Sequence, residues 1–330
     1  MSKIVFTSND NITCVAHDHV NNRYCIGILG TLHGKVMLFD ISFRMIRSWK
    51  HDDLASLLLV FTFDGGLMCG CGDKSIRRWD LENDPPTVVW TTKLFQWIDA
   101  LAELPGGRMA AACRDGQMYV LDLVTGQEIQ RSDKHHDIER TVICIVMCLG
   151  ETTFASGSWD GTIRVWNGAR DAKDAYGTQV RVVEDGNPVY SYSLSPCGGM
   201  MAAGCADGSV RLLRLTGWDT EWSVKVHTDW VLSLSFSPDG RFLASGSDKT
   251  VQMLSTKTGH IFRSFEGHTN GIRSLLFSPN GTKILSCSYD HTVRVWSLYP
   301  TLDSQMASLI YGKRGCAFKK LYSRLQNLVW

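Results

Sequence analysis

The sequence lacks the features of several broad protein classes. No stretch of 18 apolar residues occurs, since the longest apolar run, residues 54–63, is broken by Ser56 and Thr62, and we therefore predict no membrane span. Basic and acidic side chains number 34 and 33, a balance that argues against sequence-independent binding to nucleic acid. The start of the chain has too short an apolar stretch for a signal peptide. We therefore expect a cytoplasmic protein, with the nucleus left open.

Patterns for metal binding and catalysis are also missing. The 11 cysteines include no Cys-x-x-Cys pair, so we interpret them as small buried residues in a reducing compartment rather than as a metal or redox site. Residues 65–75 resemble a phosphate-binding loop, but Asp73 stands before Lys74 where glycine is required. No Gly-x-Ser-x-Gly or His-Glu-x-x-His motif occurs. The sequence therefore predicts no catalytic residue, no metal site and no cofactor.

What the sequence does contain is a repeat rich in glycine. Each copy begins with small residues, which are followed by an aspartate, a turn residue and a short polar residue. Apolar and charged residues then alternate, and the copy ends with an aromatic residue. The clearest copies are residues 158–166 and 288–296. The seven anchor positions are 33, 73, 115, 160, 207, 248 and 290, where His33 replaces the aspartate of the first copy. Their spacings, between 40 and 47 residues, are typical of a four-stranded blade.

Each unit also reads as a set of short strands. In the last copy, residues 272–277, 283–287 and 292–296 alternate as strands, and a Ser-Pro-Asn-Gly turn ends the first of them. Four antiparallel strands, repeated seven times, predict an all-β, seven-bladed β-propeller. The N-terminal residues 2–7 match the outer strand of a blade, so we expect them to join the last blade and close the ring. The predicted propeller covers residues 1–298.

The units resemble WD40 repeats, and the Trp-Asp pair of that family is present at Trp79-Asp80. The resemblance implies a structural tetrad that joins a histidine, a hydroxyl, the turn aspartate and a tryptophan by hydrogen bonds. The last repeat has all four, as His268, Ser286, Asp290 and Trp296. Buried groups of this kind need partners, so we prefer a structural role to a catalytic triad.

Three other repeats keep part of this set. The second repeat carries His51, Asp73 and Trp79, with Cys69 in place of the hydroxyl. The fourth repeat carries the hydroxyl, the aspartate and the tryptophan, and the sixth carries the histidine, the hydroxyl and the aspartate. These residues are Ser156, Asp160 and Trp166 in the fourth repeat, and His227, Ser245 and Asp248, with Leu254 in place of tryptophan, in the sixth.

The same resemblance implies a partner-binding surface, formed by the residue before each turn aspartate and by residues at the start of each first strand. Mapped onto this sequence, these positions are Trp97, Asp99, Arg114, Trp159, Tyr190, Trp230, Arg273 and Tyr289. Five aromatic residues and two arginines in so small a set are typical of binding hot spots.

Together these observations predict a non-enzymatic scaffold that holds proteins or peptide segments within a larger assembly. One alternative is a substrate receptor of a ubiquitin ligase. Its frequent Trp-Asp-x-Arg motif is not matched here, because Glu82 stands at the fourth position of the motif that begins at Trp79. A propeller enzyme with a channel-facing active site is less favoured. Nothing in the sequence indicates self-association.

Residues 299–330 follow the repeats and carry five basic residues against Asp303. Phe318, Leu321, Leu325 and Leu328 recur at helical spacing, which is consistent with a basic amphipathic helix. We expect this extension either to pack on the propeller or to dock to a partner or membrane surface.

Overall fold

The computed structural model describes residues 2–18, 20–21, 23–29, 34–40, 42–51, 56–104, 106–131, 142–147, 153–167, 179–184 and 187–298. In this part of the chain no helix is long and apolar enough to cross a membrane. The predicted basic extension, residues 299–330, lies outside the described residues.

The described residues form seven four-stranded sheets, which we call blades 1 to 7. Blade 1 contains β2 (Asn11–Asp18), β3 (Arg23–Leu29), β4 (Gly34–Phe39) and β5 (Met45–His51), and blade 2 contains β6 (Ser56–Phe61), β7 (Leu67–Cys71), β8 (Ser75–Asp80) and β9 (Thr87–Lys93). Blade 3 contains β10 (Ile98–Leu104), β11 (Arg108–Cys113), β12 (Met118–Asp122) and β13 (Glu128–Arg131), and blade 4 contains β14 (Val142–Met147), β15 (Thr153–Ser158), β16 (Thr162–Asn167) and β17 (Gln179–Glu184). Blade 5 contains β18 (Val189–Leu194), β19 (Met200–Cys205), β20 (Ser209–Arg214) and β21 (Asp219–Lys225), and blade 6 contains β22 (Ser233–Phe236), β23 (Phe242–Gly246), β24 (Thr250–Ser255) and β25 (Ile261–Glu266). Blade 7 contains β26 (Ile272–Phe277), β27 (Lys283–Ser288), β28 (Thr292–Ser297) and the N-terminal strand β1 (Ser2–Thr7).

Neighbouring blades contact one another through their first strands. The first strand of each blade contacts the first strand of the next, and β26 of blade 7 contacts β2 of blade 1. Each blade is antiparallel throughout, and β1 pairs with β28 from the opposite end of the chain. The predicted all-β propeller is therefore confirmed.

Two apolar side chains of β1, Ile4 and Phe6, lie in different environments. Phe6 packs against the core between blades 7 and 1 and makes an edge contact with Phe39, with ring centroids 5.8 Å apart. Ile4 lies on the outer side of the strand and is 46% exposed. A register shift between these two residues places Phe6 toward the core.

The turn aspartates fix the hairpin between the second and third strands. In blade 7, Asp290 accepts the N–H of Thr292 at 2.9 Å and its hydroxyl at 2.6 Å. The next residue, His291, has φ of 65°, and glycine takes this left-handed position in blades 3, 4 and 5 because it has no Cβ to clash. The sequence pattern Asp-Gly-[Ser/Thr] is therefore a turn signal with a physical cause.

Adjacent blades pack closely at positions where one of them carries a glycine. A Cβ on Gly157 of blade 4 would lie 2.3 Å from the ring of Tyr192 in blade 5. Trp90 of blade 2 lies against Gly126 of blade 3 in a similar way, and its indole N–H donates to the carbonyl of Leu123 at 3.0 Å. The core thus consists of apolar layers between neighbouring blades.

Candidate binding face

One end of the propeller carries all eight residues that the sequence singled out for partner binding. At this end the turn between the second and third strands meets the start of the first strand within each blade. Backbone hydrogen bonds tie the two together, from Arg114 N–H to Trp97 C=O at 2.9 Å and from Tyr289 N–H to Gly271 C=O at 3.0 Å. We call this end the turn face.

Three of the eight residues form a continuous aromatic row across blades 4, 5 and 6. The rings of Trp159 and Tyr190 are tilted by 57° with centroids 5.8 Å apart. Tyr190 then stacks on Trp230, with centroids 4.8 Å apart and planes 17° apart. Trp159 and Trp230 are 42% and 49% exposed, so the row presents large apolar surface to solvent.

A carboxylate, that of Asp229, lies beside the aromatic row. This carboxylate accepts the N–H of Trp230 at 2.7 Å. Burial, and then the charge of Asp229, raise the pKa of the Tyr190 phenol above its ordinary value of 10.0. The hydroxyl is protonated at neutral pH in either case, so it can donate a hydrogen bond.

A second group, which we call the Trp97 cluster, lies in blade 3. The Arg114 guanidinium sits over the Trp97 ring at 4.8 Å from its centroid. The same guanidinium forms an ion pair with Asp99 at 3.0 Å. The Arg114 side chain is half exposed whereas Asp99 is largely covered, so the carboxylate orients the arginine over the indole.

The remaining two predicted residues stand apart from these groups. Arg273 and Tyr289 are half-buried in blade 7, and Tyr289 lies over Gly271. No ring or ion-pair contact of the described residues joins them to the aromatic row or to the Trp97 cluster. The structure therefore divides the predicted surface into separate groups.

Sequence reasoning missed Phe95, which is 71% exposed. The Arg131 guanidinium lies 5.4 Å from the centre of its ring, and the Lys74 ammonium donates to its carbonyl at 3.1 Å. Phe95 extends the surface of the Trp97 cluster toward blade 2. Its position two residues before Trp97, in the loop that enters the first strand, is the signal that could have found it.

The four tetrad residues of blade 7 form one hydrogen-bonded chain. The Trp296 indole N–H donates to Ser286 Oγ at 2.8 Å, Ser286 Oγ lies 2.7 Å from His268 Nε2, and His268 Nδ1 lies 2.7 Å from Asp290 Oδ2. Although burial opposes ionisation, hydrogen bonds from Thr292 and His268 hold the pKa of Asp290 below its ordinary value. Burial lowers the pKa of His268. The chain links the loop before the first strand to the third strand.

In blade 4 the Trp166 indole N–H donates to Ser156 Oγ at 2.7 Å, and Asp160 binds its own turn through Thr162. The first of these bonds belongs to the tetrad, and the second holds the turn aspartate in place.

Blade 6 corrects one sequence interpretation. His227 Nε2 lies 2.8 Å from Ser245 Oγ, but the Asp248 side chain is exposed, and no hydrogen bond of the described residues joins it to His227. The cause is turn length. Ser245 pairs with Gln252 across the hairpin, whereas the same strands of blade 7 pair Ser286 with Arg294, so the turn of blade 6 is one residue shorter. Blades 2 to 5 keep the longer turn.

No group of three or more histidine, cysteine, aspartate or glutamate side chains that could hold a metal ion occurs among the described residues. Burial raises the pKa of Glu103 to about 7, but its carboxylate accepts the Phe63 N–H at 2.7 Å, a bond that joins blades 2 and 3. Among the cysteines whose side chains the structure describes, Cys197 is exposed and the others are buried, namely Cys14, Cys69, Cys71, Cys113, Cys205 and Cys287.

Comparison with known proteins adds family evidence to this geometry. The model of the family "WD domain, G-beta repeat" matches residues 127–167, 177–213, 218–254 and 259–297, which lie in the last five blades. The fold and the repeated turns define a repeat-built β-propeller with an exposed aromatic face. With the four matched segments, the chain belongs to the WD40-repeat family.

Individual relatives are distant. The chain is 28% identical over 215 residues to the U3 small nucleolar RNA-associated protein 15 homolog of Xenopus tropicalis, which covers 63% of this chain and 39% of the relative. It is 25% identical over 156 residues to the human U3 small nucleolar RNA-associated protein 4 homolog, covering 46% and 21%. The Ubiquitin fusion degradation protein 3 homolog of Caenorhabditis elegans is 24% identical over 228 residues, covering 67% and 26%. The chain thus spans well under half the length of these relatives.

Proposed function

We propose that this protein is a non-enzymatic scaffold that binds protein partners on its turn face, with the aromatic row as the principal contact. The observation that carries the proposal is the stack of Trp159, Tyr190 and Trp230, which joins three blades and leaves both tryptophans about half exposed. A seven-bladed ring closed by β1 is the frame that we propose for it, and the seven four-stranded sheets support that frame.

The row has the properties of an interaction hot spot. Tryptophan and tyrosine dominate such sites because large, stiff side chains bury much area at low entropic cost. The rings are held in place before binding by stacking on one another and by strands of a rigid sheet, so little ordering is needed on association. The protonated Tyr190 hydroxyl adds a directional hydrogen-bond donor.

The names of the relatives suggest the kind of assembly. Two of those compared are named for association with U3 small nucleolar RNA, and we therefore propose that this chain works in a nuclear, RNA-associated assembly rather than in the cytoplasm. Imaging of the tagged full-length chain with a nucleolar marker tests this point. Nuclear signal supports it, and an exclusively cytoplasmic signal contradicts it. The scaffold role does not depend on the outcome.

A role in ubiquitin-dependent degradation is the second candidate. It is supported by the relative that is named for ubiquitin fusion degradation. Mass spectrometry of captured partners distinguishes this role from the RNA-associated assembly. Ubiquitin-ligase subunits support this candidate, whereas RNA-associated proteins support the first.

The scaffold proposal is tested by affinity capture of partners from cells with the full-length chain and with single variants of the turn face. We expect Trp159→Ala and Trp230→Ala to lose partners that the parent chain captures. A matched control is Phe262→Ala, which removes an exposed aromatic from the outer strand β25. If the two tryptophan variants and Arg273→Ala all stay folded and retain every partner, the turn face is not the functional surface.

A further inference from the structure

The shortened turn of blade 6 leaves a cavity of about 530 Å³ beside His227. Lys225, Lys249 and Thr250 line it, together with Asp248 and Gln252. We propose that this cavity binds the carboxylate of an aspartate or glutamate side chain from a partner protein. The proposal goes beyond the scaffold function and does not depend on the aromatic row.

Blade 7 shows what the equivalent position accommodates when the turn has its full length. There the Asp290 carboxylate lies 2.7 Å from His268 Nδ1 and accepts the backbone N–H of Thr269 at 3.0 Å. Thr292 donates to the same carboxylate from the third strand. A histidine, a backbone amide and a threonine thus surround one carboxylate.

Blade 6 has the same donors without that carboxylate. His227, Thr228 and Thr250 hold the places of His268, Thr269 and Thr292 in their respective hairpins. His227 Nε2 is fixed by Ser245, and Nδ1 has only a long contact of 3.4 Å with the Thr250 hydroxyl. Because Asp248 sits on a turn that is one residue shorter, its exposed side chain does not occupy the position of Asp290.

The histidine is held rigidly for this role. Only 7% of the His227 surface is exposed. Its backbone N–H donates to the carbonyl of Gly208 in blade 5 at 3.1 Å. The Gly208 turn packs so tightly that a Cβ there would lie 2.1 Å from the His227 carbonyl oxygen. The imidazole therefore keeps its orientation toward the cavity without a ligand.

The charge around the cavity favours an anion. Lys225 and Lys249 contribute two positive charges, and Asp248 contributes one negative charge. Lys225 also interacts with Asp207 of blade 5, whose pKa it helps to lower. Two flexible ammonium groups at the rim can move onto an incoming carboxylate, while the fixed imidazole, amide and hydroxyl supply direction.

The test uses a small mimic of the partner side chain. N-acetyl-aspartate N-methylamide is titrated into the full chain while the imidazole signals of His227 and His268 are followed by NMR, and the neutral N-acetyl-asparagine N-methylamide serves as the ligand control at equal ionic strength. We expect a saturable shift of His227 with the carboxylate probe only, and no shift of His268, whose partner is Asp290.

Variants of the chain sharpen the result. Lys225→Gln and Lys249→Gln should each weaken binding of the probe by about fivefold, the size of one charge interaction at a partly exposed site. Replacement of Asp248-Lys249 by Tyr-Asp-His copies the turn of blade 7 and should abolish binding, because its own aspartate then reaches His227. If this variant does not fold, the two lysine variants still decide the question.

Three outcomes overturn the proposal. These are the absence of a saturable His227 shift, an equal shift with the asparagine control, or unchanged affinity in both lysine variants. Inorganic phosphate is titrated in parallel. If phosphate shifts His227 and the aspartate probe does not, the carboxylate assignment is wrong and the site takes a phosphate group instead.

Discussion

Tyr190 of blade 5 stacks on Trp230 of blade 6 with ring centroids 4.8 Å apart, so two neighbouring blades share one exposed aromatic surface. The two residues are 40 positions apart in the chain, and they meet because each lies at the start of a first strand. The repeat therefore brings together residues that have no local relationship in the sequence. A partner that covers this stack contacts at least two blades at once.

The tetrad predicts that alanine substitution at two equivalent serines lowers the free energy of unfolding by different amounts. Ser286→Ala removes the acceptor of the Trp296 N–H and the partner of His268, and each buried group left unsatisfied costs about 1–3 kcal/mol. Ser245→Ala in blade 6 removes the partner of His227 and a long contact of 3.5 Å with the Gln252 carbonyl, but no tryptophan loses its acceptor because Leu254 stands at that position. Urea unfolding should show the larger loss for Ser286→Ala. Equal losses would contradict a continuous chain in blade 7.

His227 predicts a loss of stability in mild acid. Burial lowers its pKa from 6.5 to about 4. Between these two values the unfolded chain binds a proton that the folded chain does not, so the free energy of unfolding falls as the pH falls from about 6.5 to 4, by about 3 kcal/mol. We expect His227→Gln to reduce this pH dependence, measured by urea unfolding at several pH values. His260→Gln, at an exposed position, is the control, and an unchanged slope in His227→Gln would contradict the assignment.

A matched pair of glycines separates the destabilisation caused by steric overlap with Trp90 from the destabilisation caused by backbone strain. Gly126 and Gly107 both have φ of +71°, but a Cβ on Gly126 would lie 2.6 Å from the Trp90 ring, whereas nothing lies within 4 Å of one on Gly107. Gly107→Ala should cost about 1–2 kcal/mol through backbone strain alone, and Gly126→Ala about 1–3 kcal/mol more through overpacking. Thermal unfolding measures both. A difference of zero would mean that Trp90 moves aside freely.

Strand β1 predicts a strong effect of a short N-terminal deletion. Removal of residues 1–8 exposes the hydrogen-bonding edge of β28 and uncovers Phe39, which Phe6 contacts. We expect aggregation or a large fall in melting temperature, observed by light scattering and calorimetry. The control is Lys3→Ala, which changes an exposed side chain of the same strand. A truncated chain that remains monomeric with unchanged melting would show that β1 is dispensable.

The fold was accessible from the sequence because its signals repeat. The Asp-Gly-[Ser/Thr] turns have a local physical cause, namely a turn carboxylate and a residue in the left-handed conformation. A single turn of this kind would be ambiguous, but seven copies with alternating strands between them, at spacings between 40 and 47 residues, identify the fold. Placement of Trp159, Tyr190 and Trp230 at one end followed from the same register. The tetrad of blade 7 followed from the family resemblance.

Other features depended on contacts that a pattern does not encode. The turn of blade 6 is shorter than that of blade 7 by a single residue, and an alignment on Asp248 hides this difference because the third strand still matches. The exposure of Ile4 results from a register shift next to Phe6. The role of Arg114 depends on Asp99 and Trp97 meeting it in space. Such properties arise from register and packing between strands, which the composition of each strand leaves open.

The most direct test of the central claim measures the affinity of one captured partner for the purified full-length chain and for Trp230→Ala, with Phe262→Ala as the control. Truncation of a hot-spot aromatic costs about 2 kcal/mol, which is about a thirty-fold rise in Kd, while the melting temperature should stay unchanged because Trp230 is half exposed. We expect this rise for Trp230→Ala and no rise for Phe262→Ala. An affinity of Trp230→Ala equal to that of the parent chain would contradict the assignment of the aromatic row as the binding surface.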